Sequence, residues 1–98
     1  MTTLEVLEKM KTALMITSSA FDQVLSIHIE NVKNYMINAG VKESVVNSEK
    51  SIGAILRGVS DLWNNDSGKV DFSPYFRDQV VQLSFLEGDN DVSTEANQ

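Results

Sequence analysis

Apolar residues recur at helical spacing from the start of the chain. Leu4, Leu7, Met10 and Leu14 share one face, and Thr2 or Thr3 stands where a cap is needed, with Glu5 in the favourable first turn. The pattern predicts a helix over 3–15, ended by the polar stretch Thr17-Ser18-Ser19. A longer stripe follows: Phe21, Val24, Leu25, His28, Ile29, Val32, Tyr35, Met36 and Ala39. Ser19, with Asp22 three residues on, has the spacing of a capping box in which Asp replaces Glu. Ile27 and Ile37 lie off the stripe and widen the apolar surface beyond what one helical partner covers. Gly40, after Asn38-Ala39, is placed as a left-handed cap.

A third helix is predicted from Lys42 or Glu43 to Trp63. Val45, Ile52, Leu56, Val59 and Trp63 form its main face, flanked by Val46, Ile55 and Leu62. Gly53 and Gly58 interrupt it at about 1 kcal/mol each against Ala, so they mark a close helix approach or a bend. Asn64-Asn65-Asp66-Ser67-Gly68 is a stop, and Lys69-Val70-Asp71-Phe72 reads as a short extended connection. Ser73-Pro74 then starts a last helix, Ser as N-cap and Pro at the first helical position, continuing through Tyr75, Phe76, Gln79, Val80 and Leu83 to about Leu86.

The fold expected is all-α: a small bundle of three to four helices. The second and third form a long antiparallel hairpin, and a short C-terminal helix follows. The expected core is Leu7, Val24, Leu25, Ile29, Val32, Met36, Ile52, Leu56, Val59 and Trp63. At 98 residues there is room for one domain, assigned to 1–86, with little stability to spare. Residues 87–98 are acidic and aperiodic and read as a flexible tail, either a solubilising charge run or a segment that orders on a partner.

Charge sharpens this picture. The net −6 is divided unevenly: residues 1–86 hold ten acids and eight bases, whereas Glu87, Asp89, Asp91 and Glu95 face no base in 87–98. A duplex-DNA binder must gather Lys and Arg against phosphates, and here there are only Arg57, Arg77 and six scattered Lys. The chain has no Cys, which removes disulfides, thiolate metal sites and Cys nucleophiles, and fits a reducing cytoplasm. Its first residues carry Glu5 and Glu8 without a long apolar run, unlike a signal peptide, and nothing approaches a membrane span.

The candidates for chemistry are weak. His28, the only histidine, sits on the apolar stripe and reads as a core or interface residue rather than a base or ligand. Glu5 and Glu8 are surface charges one turn apart. Asp61, Asp66 and Asp71 lack the alternating spacing of a calcium loop. Asp66-Ser67-Gly68-Lys69 lacks the earlier Gly of a phosphate loop, because Trp63 occupies that position. Trp63, Phe72, Tyr75 and Phe76 could make a stacking platform but read more simply as packing at the end of the hairpin. No catalytic residue, metal ligand or cofactor site is therefore expected. A helix-turn-helix regulator is the alternative, since Tyr35 to Ile55 places two helices around Gly40. Its recognition helix would be Glu43 to Ser51, with two acids, one base and no Arg, and Met36 stands where a small residue is preferred. A further alternative is a small helical protein-interaction module.

Taken in order, residues 3–86 resemble the small head–tail connector proteins of tailed bacteriophages, also called adaptor or head-completion proteins. The resemblance lies in the short helix Leu4 to Lys11, a polar break, and the long helix through Val32-Lys33-Asn34-Tyr35-Met36. It continues in the helix closing on Val59-Ser60-Asp61-Leu62-Trp63-Asn64 and, above all, in Phe72-Ser73-Pro74-Tyr75-Phe76-Arg77 leading to Gln82-Leu83. It implies a non-enzymatic virion protein at the head–tail interface, made in the bacterial host cytoplasm. Such a protein forms a homo-oligomeric ring of portal-like dodecameric symmetry beneath the portal protein. It offers a surface to a downstream head-completion or tail protein and passes genomic DNA without reading its sequence. The resemblance also implies that the C-terminal segment, 84–98 here, engages the portal. A ring needs two different contact faces on each subunit. Ile27 and Ile37 are candidates for one, and Tyr75, Phe76, Arg77, Leu83, Phe85 and Leu86 for the other or for the portal side.

Overall fold

The protein's computed structural model describes residues 2–64 and 72–86. The expected connection 69–71 and the acidic tail 87–98 lie outside the described residues. The described chain is all-helical: α1 (Thr3–Leu14), α2 (Asp22–Asn38), α3 (Glu43–Val46), a 3-10 turn (Glu49–Ser51), α4 (Ile52–Trp63) and α5 (Pro74–Ser84).

Local chemistry explains most of the boundaries. Thr2 closes a capping box on α1: its hydroxyl accepts from Glu5 N–H (3.1 Å), and its own N–H donates to Glu5 Oε1 (2.7 Å). At the other end Met15 adopts φ 60°, ψ 38°. Met15 and Ile16 N–H return to Thr12 and Lys11 carbonyls, closing a Schellman turn with Met where Gly is usual. The same motif ends α2, with Gly40 at φ +105° and buried Val41 donating to Met36 O (3.0 Å). The left-handed cap expected at Gly40 is present.

The start of α2 differs from expectation. Phe21 occupies the cap position with no side-chain hydrogen bond, and Ser19 contributes its backbone carbonyl to Asp22 N–H (3.1 Å). Asp22 is instead drawn to Lys11 (2.8 Å), tying the end of α1 to the start of α2.

The single long helix expected over Lys42–Trp63 is divided. Ser48 takes an extended conformation (φ −103°, ψ 168°), and its hydroxyl accepts from Lys50 N–H (3.2 Å) while donating to Val45 O (2.8 Å). Fully buried Ser51 donates to Val46 O (2.6 Å) and Ser48 O (3.1 Å). Two serine side chains thus satisfy carbonyls that a continuous ladder would have used, the competition that makes Ser poor in helix interiors. The break also rephases the apolar face. In α4 the buried residues are Ala54, Ile55, Gly58 and Val59, whereas Ile52, Leu56 and Trp63 are only partly buried against the core edge.

One apolar cluster unites all the helices. Val6, Leu7 and Met10 of α1 join Leu25, Ile29, Val32 and Met36 of α2, then Val41, Val45 and Val46, the α4 residues, and Phe76, Val80 and Leu83 of α5. α2 packs on both α1 and α4, and α5 packs on α4. Val24 is not in the core: it is 45% exposed. The stripe buried on α2 is Leu25, Ile29, Val32, Lys33 and Met36, a narrower face in which the aliphatic stem of Lys33 takes a buried place. Gly58 permits a close approach. A Cβ there would lie 2.7 Å from Phe76 Cε1 and 2.9 Å from Val32 Cγ1, while at exposed Gly53 it would meet nothing within 4 Å.

Candidate interaction surfaces

α5 is positioned by a polar lock at its first turn. Ser73 Oγ accepts from Phe76 N–H (3.3 Å), the N-cap expected from Ser73-Pro74. Asp61 of α4 accepts from both Ser73 N–H and Ser73 Oγ (3.0 Å each), and Arg57 Nε lies 3.4 Å from Asp61 Oδ1. The Asp61 contribution was not legible locally, because it comes from twelve residues away in the chain.

That lock decides which residues of α5 face outward. Phe76 is fully buried, packed on Phe72 (ring centroids 4.6 Å apart) and Tyr35 (5.6 Å), so it is an anchor and not the contact residue expected. Leu83 is likewise a core residue, on the same helical face as Phe76 and Val80. Tyr75 is 61% exposed with the Arg57 guanidinium 5.8 Å from its ring centre, and Arg77 is exposed. Phe85, 80% exposed, caps α5, and Leu86 beyond it is also exposed. Ile27 and Ile37 are exposed on α2, as expected, and Val24 joins them there. Sequence spacing also missed the exposure of Leu4 and Met15 at opposite ends of α1, of Val81 on α5, and of Phe21 and Tyr35, which the apolar stripe had included.

Of the aromatics expected at the end of the hairpin, Phe72 and Phe76 pack on each other, whereas Trp63 packs elsewhere and Tyr75 stays outside. Trp63 meets Phe21 edge-on (5.3 Å), and Tyr35, Phe72 and Phe76 form a tilted cluster. His28 is half-buried, and its Nδ1 is enclosed without a hydrogen-bond partner. Among the described residues no cluster of His, Cys, Asp or Glu could hold a metal ion, and no helix is long and apolar enough to cross a membrane. The Glu5 carboxyl is held below its ordinary titration range by the hydrogen bond from Thr2 N–H.

Two surface concavities complete the picture. One, of about 280 Å³, runs between α4 and α5 over Gly53, lined by Lys50, Ala54, Gln79, Gln82, Leu83 and Leu86. The other, about 530 Å³, lies where the start of α1 meets α2 and α3, with Lys33, Glu30, Glu43 and Ile37 among its walls. Thr3 Oγ1 donates to Glu30 Oε2 there. Glu43 to Ser51, the recognition helix of the alternative reading, is a four-residue helix, a break and a 3-10 turn. Comparisons with protein-family models, curated proteins and solved structures return no match for this chain.

Proposed function

We propose that this chain is a subunit of the head–tail connector ring of a tailed bacteriophage. In this reading it is a structural virion protein that docks beneath the portal, extends the DNA channel and presents a surface to the next head-completion or tail protein. The observation that carries the reading is the opening of α5. Phe72-Ser73-Pro74-Tyr75-Phe76-Arg77, the part of the sequence most similar to the connector family, forms a capped helix whose Phe76 is buried while Tyr75 and Arg77 stay outside. An anchored helix start with an aromatic and a cation held outward is suited to contacting another chain.

In this proposal α2 and α4 are the arms of an antiparallel hairpin, and residues 84–98 engage the portal. Their four acids and no bases call for a basic portal surface. The net negative charge of the chain suits a channel through which DNA slides without adhering.

The test is co-sedimentation of the full chain with the portal protein of the same genome, alongside duplex DNA. A complex of about one chain per portal subunit, with no DNA retained, is the expected result from a closed homo-oligomeric ring on a portal. Removing 87–98 should weaken that complex and leave the helical content unchanged. DNA binding without a portal complex would overturn the proposal in favour of a regulator, with the salt-sensitive affinity such binding entails.

A further inference from the structure

One charged side chain of the buried face lines a concavity without a counter-charge of its own. Lys33 is only 7% exposed and belongs to the buried stripe of α2, yet it also lines the concavity of about 530 Å³ where the start of α1 meets α2 and α3. Among the described residues none hydrogen-bonds or ion-pairs with it. An ammonium drawn this far out of water without a partner is costly, and an anion relieves the cost.

The walls restrict what that anion can be. Thr2 and Asn34 line the same concavity and carry side-chain donors. Two carboxylates line it as well: Glu30 accepts from Thr3 Oγ1, and Glu43 stands exposed in the first turn of α3. A multiply charged anion such as a phosphate group would be repelled by these two, and a lone cation would leave Lys33 unpaired. A group that carries one carboxylate and one cation answers both charges. Exposed Ile37, in the same wall, offers an apolar surface to the aliphatic chain that joins them.

We propose that this concavity binds a carboxylate with a cation a few bonds away, the carboxylate meeting Lys33 and the cation meeting Glu43. That chemistry belongs to a free basic amino acid, and equally to an acidic residue followed by a basic one in another chain. The site stands independently of the connector reading.

The test is an NMR titration of the isotopically labelled full chain with four probes. These are L-arginine, acetate (no cation), argininamide (no carboxylate) and the end-blocked peptide Gly-Asp-Arg-Gly. L-arginine or the peptide should shift the Lys33, Asn34 and Glu43 resonances saturably, about tenfold more tightly than acetate or argininamide. Tighter binding of the peptide assigns the site to a partner chain, and tighter binding of L-arginine assigns it to a free amino acid. Lys33→Met keeps an apolar stem in the buried stripe and should abolish saturation with the helical circular dichroism intact. Glu43→Gln changes only an exposed side chain, and should lower the affinity for L-arginine to that for acetate while leaving acetate unaffected. No saturable shift with either L-arginine or the peptide would overturn the proposal, as would saturation that survives Lys33→Met. Should Lys33→Met fail to fold, an L-arginine affinity unchanged by Glu43→Gln, or matched by acetate, would overturn it equally.

Discussion

Gly58→Ala is the sharpest probe of how this fold is held. The new methyl group would stand 2.7 Å from Phe76 Cε1, 3.1 Å from Phe76 Cζ and 2.9 Å from Val32 Cγ1, and both neighbours are fully buried. Neither can yield easily. The Phe76 ring is packed against Phe72 and Tyr35, and a β-branched Val inside a helix has essentially one rotamer. Overpacking of this kind costs about 1–3 kcal/mol, while replacing a helical Gly by Ala returns about 1 kcal/mol, so the net expectation is a loss of about 1 kcal/mol. In a domain of this size that lowers Tm by roughly 4–8 °C. The assay is urea unfolding followed by far-UV circular dichroism and by Trp63 fluorescence, with the m-value held constant between variants. Gly53→Ala is the control: the methyl meets nothing, so it should gain about 0.5–1 kcal/mol. Phe76→Leu trims the ring, so in that background the Gly58→Ala penalty should shrink, a coupling that a double-mutant cycle measures directly. A Gly58→Ala protein as stable as the parent, or one whose penalty ignores Phe76→Leu, would refute the close approach of α2, α4 and α5.

Three further outcomes are expected. Ser73→Ala removes the hydroxyl that caps α5 and donates to Asp61, and should cost about 1–2 kcal/mol in the same unfolding assay; a change within a few tenths would deny the lock a structural role. The Lys11–Asp22 pair is partly exposed, so a double-mutant cycle should give a coupling of about 0.5 kcal/mol that fades with added salt, and a salt-independent coupling would contradict its surface character. The Glu5 carboxyl should titrate below an ordinary glutamate in an NMR titration. Since its folded-state pKa is the lower one, its contribution is present at neutral pH and is lost as pH falls through that value; an unshifted titration would show that the capping box is absent in solution.

Much of the fold was legible because it depends on near-neighbour chemistry. Helical spacing placed α1, α2 and α5, Gly40 marked its turn, and Ser73-Pro74 marked the start of α5. What was not legible depends on competition between local choices. Ser48-Glu49-Lys50-Ser51 lies on an otherwise helical pattern, and only the observed hydrogen bonds reveal that the serines interrupt it. Once the helix is cut, its apolar face is no longer continuous, so Ile55 and Ala54 are buried while Ile52 and Leu56 move to the edge. Val24, expected in the core, is exposed for a similar reason. α2 packs on both α1 and α4, and the way these neighbours lie on it selects the buried stripe, which no periodicity within α2 contains.

The contact candidates divide along the same line, and the division bears on the proposed assembly. On α5, spacing could not distinguish the residue that seats the helix from those it displays. Tyr75, Phe76 and Arg77 are adjacent in sequence, yet a helix turns about 100° per residue, so one of three consecutive residues can be buried while its neighbours stay outside. With Phe76 fixed against Gly58, Tyr75 under Arg57 and Phe85 at the far end become positions set by the core rather than freely hinged ones. A surface fixed in this way loses little conformational freedom when a partner covers it, and that economy is what a small subunit needs if most of its stability is to come from its neighbours. Substitutions at Gly58 should therefore weaken assembly as well as folding, whereas substitutions at Tyr75 or Phe85 should weaken assembly alone.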